Sequence, residues 1–274
     1  MVTVKDMKDA LARLGVCEGD ILLVHSSFKS LGPCEEGAAT VIGGLQAALG
    51  ESGTLVFPTL CQKDWDNVYK NWHLDAPSDV GYLTNYFRQL PGALRSDQAT
   101  HSVAAIGPQA EYLTATHGQT GLRYGIYGDT PFSADSPWQK MYELNAKVLF
   151  IGCTIRSCTF RHLAEYILME EYLEKAKKSP DYEALLAEVW HYDRFAEGGV
   201  WPHVVNLYIG EVMEREGKLL RAICGDAALE LVSAQDFMEV TFRLMRAHVP
   251  EVFGDGKLYR RERNLSWMER IEAL

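Results

Sequence analysis

KVLFIGCTIRSCTFRHLAE, residues 147–165, decides the fold. Val148-Leu149-Phe150-Ile151-Gly152 is a short apolar run closed by glycine, the pattern of a buried strand. A short polar loop follows. Thr159 then stands where it can cap a new helix that carries His162 and Glu165. Residues three apart on a helix share a face, so this imidazole and this carboxylate can be neighbours. The carboxylate would hold the ring and stabilise its protonated form, and the ring would take a proton from an amine or hydroxyl. The same letters also fit a surface histidine, with Glu165 pairing Arg161 across one turn.

Working outward, strands and helices alternate. An amphipathic helix over 4–15 carries Met7, Leu11 and Leu14. Asp20-Ile21-Leu22-Leu23-Val24 is a strand ending at His25-Ser26-Ser27. A helix from Gly37 to Leu49 is followed by the strand Thr54-Leu55-Val56-Phe57 and then Pro58-Thr59. Residues 60–80 are polar and aromatic with few periodic cues, and read as a long loop. A helix from Val80 to Leu90, a strand over Ser102–Gly107 and a helix from Gln109 to Thr116 follow. A turn-rich stretch, Thr130 to Pro137, leads to a helix ending at Leu144. The helix after Thr159 should run to Lys178, with Phe160, Leu163, Ala164, Ile167 and Leu168 facing the core. Beyond it lie a helix over Glu183–Val189, an aperiodic Trp190–Phe195, a helix over Ala234–His248 and a basic tail, Lys257–Arg263. This alternation predicts an α/β fold: a three-layer α/β/α sandwich around a central, mainly parallel sheet. No repeat, linker or domain boundary interrupts it, so residues 1–274 read as a single domain.

The chain has 274 residues, 47% of them hydrophobic, and a net charge of -10 with a pI of about 5.3. That is ample apolar content for a core, and the acidity argues against nucleic acid or an anionic membrane as partner. Six scattered cysteines form no CxxC pair and no Cys/His cluster with zinc spacing, which predicts a reducing compartment and no metal. No signal peptide and no run of 18 apolar residues is visible. The expectation is a cytoplasmic protein; a homodimer is compatible with the sequence.

Three strand ends carry hydroxyls: His25-Ser26-Ser27, Pro58-Thr59 and Gly152-Cys153-Thr154. In an open parallel sheet ligands bind beyond the carboxyl ends of strands, so these segments could line one crevice. The loop Ser26-Ser27-Phe28-Lys29-Ser30-Leu31-Gly32 offers hydroxyls, backbone N–H groups and a lysine, a set that suits a phosphate or a pantetheine amide. As turn chemistry alone it needs no ligand. Cys158, at a helix start near His162, is the rival reactive group: a cysteine-dependent hydrolase would use that pair. A non-catalytic coenzyme sensor is the third possibility.

Six segments, LLVHSSFKSLG (22–32), GTLVFPT (53–59), RSDQATHSVAAIGPQA (95–110), SPWQKMYEL (136–144), VLFIGC (148–153) and TFRHLAEY (159–166), fall in the order of the aminoglycoside 3-N-acetyltransferase family. The chain resembles that family over residues 5–248. The resemblance implies one α/β/α domain that transfers acetyl from acetyl-coenzyme A to a small-molecule amine, with the 3-amine of an aminoglycoside the leading acceptor; some members act on other amines. It implies that His25, Ser26, Ser27, Ser30, Leu31, Gly32, Pro58, Thr59, Thr100, His101, Ser102 and Val103 bind the coenzyme. His162 matches the catalytic base and Glu165 its acid. Thr159 matches a threonine that would bond the thioester carbonyl or the developing oxyanion. Where many members carry His-Pro, this chain has Gln98-Ala99. A polycationic acceptor needs carboxylates around it. Asp64, Asp75 and Glu170 are the candidates, with Asp66, Glu171 and Asp193 behind them.

Overall fold

The run 147–151 forms a strand whose last four residues are buried, and it lies beside the strand that ends in His25 and Ser26. The computed structural model describes residues 1–64, 67–190, 199–253 and 258–274. Among them the strands are β1 (Ile21–Ser26), β2 (Thr54–Pro58), β3 (Leu94–Arg95), β4 (Val103–Ile106), β5 (Lys147–Ile151), β6 (Leu220–Cys224) and β7 (Ala227–Ser233). The helices are α1 (Val4–Arg13), α2 (Ala38–Leu49), α3 (Val68–Asn71), α4 (Tyr82–Phe87), α5 (Ala110–Thr114), α6 (Pro137–Glu143), α7 (Phe160–Ala176), α8 (Tyr182–Trp190), α9 (Asn206–Arg215), α10 (Ala234–Arg246) and α11 (Leu258–Glu272).

The strands form one sheet in the order β3-β4-β2-β1-β5-β7-β6. Its centre, β2-β1-β5, is parallel. The wings are antiparallel: β4 runs against β2 and β3 against β4, while β7 runs against β5 and β6 against β7. The parallel character read from the sequence therefore belongs to the central strands, and the sheet as a whole is mixed.

Side chains alternate across a strand, and here the alternation sorts them into two cores. Leu22, Val24, Leu55, Phe57, Leu149 and Ile151 meet α1, α2 and α4 through Met7, Leu11, Val41, Leu45, Leu83 and Phe87. Leu23, Val56, Val148 and Phe150 face the other way, against Trp138 and Met141 of α6, Phe160 and Leu163 of α7, and Phe237 of α10. Helices thus cover both faces, and the expected three-layer α/β/α architecture stands.

Local chemistry sets several helix starts. Thr3 and Asp6 close a capping box on α1, and Ser136 caps α6 with Pro137 in the first turn. Among its described residues, the long loop over 60–80 holds one helical turn, α3. The basic run ending at Arg263 is not a tail: from Leu258 it is helical, and Trp267 and Ile271, one turn apart and each 1% exposed, dock α11 on the core. Among the described residues no helix is long and apolar enough to cross a membrane.

Candidate active site

Strand parity places His25. It lies on the same face as Leu23 and opposite Phe150 in the β1–β5 register, and the two rings stack at 5.3 Å and 11°. His25 thus ends β1 on the side that α7 covers. The chain then turns through one 3-10 turn, Phe28–Leu31. The Ser27 N–H donates to Ile151 O at 2.8 Å, and Ser30 Oγ donates to Ser27 Oγ at 2.9 Å. This turn presses on Gly152 at the end of β5. Gly152 has φ +60°, and a Cβ there would stand 2.3 Å from Ser30 Cβ, so only glycine lets the two strand exits meet.

Two cavities open at these exits and share Ser26. One, about 200 Å³, is lined by His25, Ser26, Pro58, Thr84, Ser157 and Thr159 among others. The second, about 560 Å³, lies between Ser26–Lys29 and Gly81–Tyr82. Phe28 and Tyr82 face each other there at 5.2 Å. After β5 a 3-10 turn, Ile155–Ser157, delivers Thr159 to the first cavity; the buried Glu230 of β7 anchors it by accepting the Ile155 N–H at 2.9 Å.

One turn further along α7 stands His162. Its Nδ1 is 2.9 Å from Glu165 Oε2, and its Nε2 accepts from Arg161 Nε at 3.2 Å. A guanidinium can only donate, so Nε2 carries the lone pair and the proton sits on Nδ1, pointing at the carboxylate. Tyr127 meets the ring edge-on at 4.9 Å, with His101 and Phe132 each 5.9 Å away. The His162 side chain keeps 11% of its surface, so it is held without being sealed. Glu165 is 1% exposed and receives two further donors, Trp201 Nε1 at 3.0 Å and the Val204 N–H at 2.8 Å. Burial alone would raise its pKa. The facing His162, with His203 and Arg161 behind it, outweighs burial and holds the carboxyl down at about 2. Trp201 is fixed in turn by Asn264 of α11, whose amide donates to Trp201 O at 2.8 Å. This arrangement suits a general base: a ring of set tautomer, oriented by a buried carboxylate, one helical turn from Thr159, which lines the first cavity.

The sequence profile of the aminoglycoside 3-N-acetyltransferase family matches residues 23–246. The chain belongs to this family. It is 34% identical over 184 residues to aminoglycoside N(3)-acetyltransferase III of a Salmonella species, a match covering 61% of this chain and 61% of that relative's length. Its fold is similar to the crystal structure of the aminoglycoside acetyltransferase AAC(3)-IVa apoenzyme, with a TM-score of 0.65, 25% identity and 89% of each chain covered. It is also similar to AAC-IIIb in a binary complex with CoASH, with a TM-score of 0.67, 20% identity, and 93% and 98% of the two chains covered.

In this member of the aminoglycoside 3-N-acetyltransferase family the residues expected at the coenzyme divide. His25, Ser26, Ser27, Pro58 and Thr159 line the two cavities, and Ser30 braces Ser27 from behind. Leu31 and Val103 do not reach them; both are buried in the cores. Gly32, with φ +73°, turns the chain against Asp226. Thr59 and Ser102 are fully buried, bond each other at 2.9 Å, and are tied to Arg95. Thr100 and His101 belong with His162 instead. Gln98, the departure from the family pattern, organises them: its Oε1 accepts the His101 N–H at 2.5 Å and the Thr100 hydroxyl at 3.2 Å.

The acceptor candidates are not brought together. Asp64 is exposed and accepts from Asn67; Asp75 is exposed on the same loop; Glu170 is exposed on α7 and ion-paired with Arg123 at 2.9 Å. Glu171 pairs with Arg246. Asp66, Asp193 and the segment 191–195 lie outside the described residues. Two other expectations need correction. Thr159 occupies the N-cap position of α7 but is helical itself and makes no capping bond with its side chain, so its hydroxyl is left to the cavity. Cys158 is fully buried, and burial pushes its thiol up to about 12, which removes the thiolate a hydrolase would need. Sequence reasoning missed Trp201, Val204 and Tyr127, and it paired Arg161 with Glu165, whereas Arg161 Nε donates to His162 Nε2. No spacing along the chain links those three to His162 or Glu165. Among the described residues no cluster of His, Cys, Asp or Glu could hold a metal.

Burial holds His25 and His117 uncharged, with pKa values of about 4. His101 is pushed down well below its ordinary value, by burial above all, with the Arg161 guanidinium and any proton taken up by His162 or His117 acting the same way. The unfolded chain takes up these protons near the ordinary value of 6.5, whereas the native state resists until about 4. Stability is therefore lost as pH falls through that window, on the order of 2 kcal/mol per histidine by pH 5. The urea midpoint should fall clearly between pH 7 and pH 5; a flat profile would contradict the assigned neutral states.

Proposed function

We propose that this chain transfers an acetyl group from acetyl-coenzyme A to a primary amine, the 3-amine of an aminoglycoside being the leading acceptor. The reading rests above all on the His162–Glu165 pair, whose lone-pair nitrogen stands one turn from the strand-end cavity. The names of its relatives supply the acceptor, and the CoASH complex of AAC-IIIb supplies the donor. The linked cavities fit such a donor: hydroxyls of Ser26, Ser157 and Thr159 in the inner one, and Lys29 with two aromatic rings in the outer one. The co-substrate would enter past Ser26–Lys29 and bring its thioester to Thr159.

The amine nitrogen attacks the thioester carbon while His162 Nε2 takes its proton, displacing Arg161. The ring then carries charge on both N–H groups, and Glu165 stabilises it. The carbonyl oxygen gains negative charge, which the Thr159 hydroxyl is placed to bond. As the tetrahedral adduct collapses, the C–S bond breaks and the thiolate leaves as free thiol with a proton from the imidazolium. No covalent enzyme intermediate is needed. One domain, residues 1–274, carries the reaction, and the cytoplasm, where acetyl-coenzyme A is at hand, is the compartment we assign to it.

Acetyl-coenzyme A should raise Tm in a concentration-dependent way, since a ligand of the native state stabilises it. A thiol-release screen over aminoglycosides and amino sugars should show acceptor-dependent turnover. Saturable coenzyme binding with no turnover on any amine would leave the protein a sensor.

A further inference from the structure

His25 is a titratable side chain that the mechanism above leaves idle. It is 7% exposed, and its Nε2 is sealed from solvent with no hydrogen-bond partner. That leaves Nδ1 as the nitrogen through which the ring can meet a ligand, in the cavity it lines with Thr159. A buried N–H without a partner is rarer and costlier than a buried lone pair without one. The orphan at Nε2 is therefore the lone pair, and the proton sits on Nδ1. The stack on Phe150 fixes the ring plane.

We propose that His25 is the second oxyanion donor of the acetyl-transfer site. Its neutral Nδ1–H, from the end of β1, and the Thr159 hydroxyl, from the head of α7, bond the same carbonyl oxygen of the acetyl group. This rests on the acetyltransferase reading and adds to it a catalytic residue. The two donors come from different walls of one cavity, so one oxygen can take a bond from each as charge builds on it. A neutral donor suits the task. It stabilises the oxyanion without carrying a charge that would need its own counter-ion in the resting site. Burial supports this state by holding the imidazole at about 4.

The test separates the acetyl carbonyl from the rest of the coenzyme. His25→Phe keeps the stack and removes the donor. With gentamicin as acceptor its kcat should fall on the order of 10²–10³-fold, the usual cost of one oxyanion donor. Its affinity for coenzyme A, which lacks the acetyl oxygen, should stay within about twofold of wild type. His25→Asn, which sets an amide N–H near the position of Nδ1, should recover at least about tenfold of the lost rate. His25→Gln, whose amide reaches the Nε2 position, should not. This contrast also holds if the phenylalanine variant folds poorly. Parallel loss of affinity for coenzyme A and acetyl-coenzyme A would overturn the proposal, because it would place His25 on the pantetheine arm. So would an unchanged kcat in His25→Phe, or a glutamine variant better than the asparagine one. Failure of the wild-type chain to bind either coenzyme would sink the acetyltransferase reading itself, which is a different result.

Discussion

His162→Ala is expected to lower kcat by on the order of 10²–10⁴-fold, the span a positioned general base supplies. The argument lies in the ring's two nitrogens. Nδ1 is committed to Glu165 at 2.9 Å, and Nε2 holds a lone pair toward Arg161. Removing the ring deletes the proton acceptor, yet Glu165 keeps its bonds from Trp201 and Val204. The carboxylate is therefore not orphaned, and the fold should survive. Affinity for acetyl-coenzyme A should change little, because the cavity at Ser26 and Thr159 does not depend on the ring. Steady-state thiol release with gentamicin, beside coenzyme affinity by calorimetry, checks both halves. A variant retaining more than about a tenth of wild-type kcat would end the assignment of His162 as base.

Glu165 should divide by substitution. Glu165→Ala strands three donors at once: His162 Nδ1, Trp201 Nε1 and the Val204 N–H. A buried polar group left without its partner costs about 1–3 kcal/mol, so a loss of roughly 3–5 kcal/mol is expected, with Tm lower by about 10 °C for a chain of this size. Glu165→Gln should fold better and still fail chemically. Both carboxylate oxygens accept N–H groups, so whichever way the amide turns, its NH₂ meets a donor. If it faces His162, the ring must accept at Nδ1 and move its proton to Nε2, which blocks the nitrogen that should take the substrate's proton. A fall in kcat of about 10²–10⁴-fold with a modest change in Tm is expected. Wild-type kcat in the glutamine variant would show that the negative charge of Glu165 is not needed to stabilise the protonated ring.

The central sheet and the His162–Glu165 pairing were legible because each rests on local pattern. Residues 21–24, 55–57 and 148–151 are apolar runs closed by His25, Pro58 and Gly152, and 162 and 165 are one helical turn apart. The antiparallel wing was not legible. In β6, Leu220 is 45% and Ile223 68% exposed, so its apolar letters do not mark a core face. The hairpin to β7 turns on only Gly225-Asp226. The helical α11 was hidden by its charge; its docking depends on three side chains, Trp267, Met268 and Ile271, meeting a core built elsewhere. The site divides in the same way. Trp201 and Val204 lie 36 and 39 residues from Glu165, and no spacing in the sequence links them to it. Thr59 reads as a ligand contact because it follows a strand end, and Ser102 does so only through the family resemblance. Their hydroxyls turn instead toward Arg95 and one another, a choice that only three-dimensional proximity reveals.

The amide of Asn264 reaches Trp201, and the indole of Trp201 reaches the acid behind the base. Helix α11 is thereby connected to the proton transfer we propose. Loosening of that terminal helix would be felt first as a slower reaction, while the sheet and its strand-end crevice stayed whole.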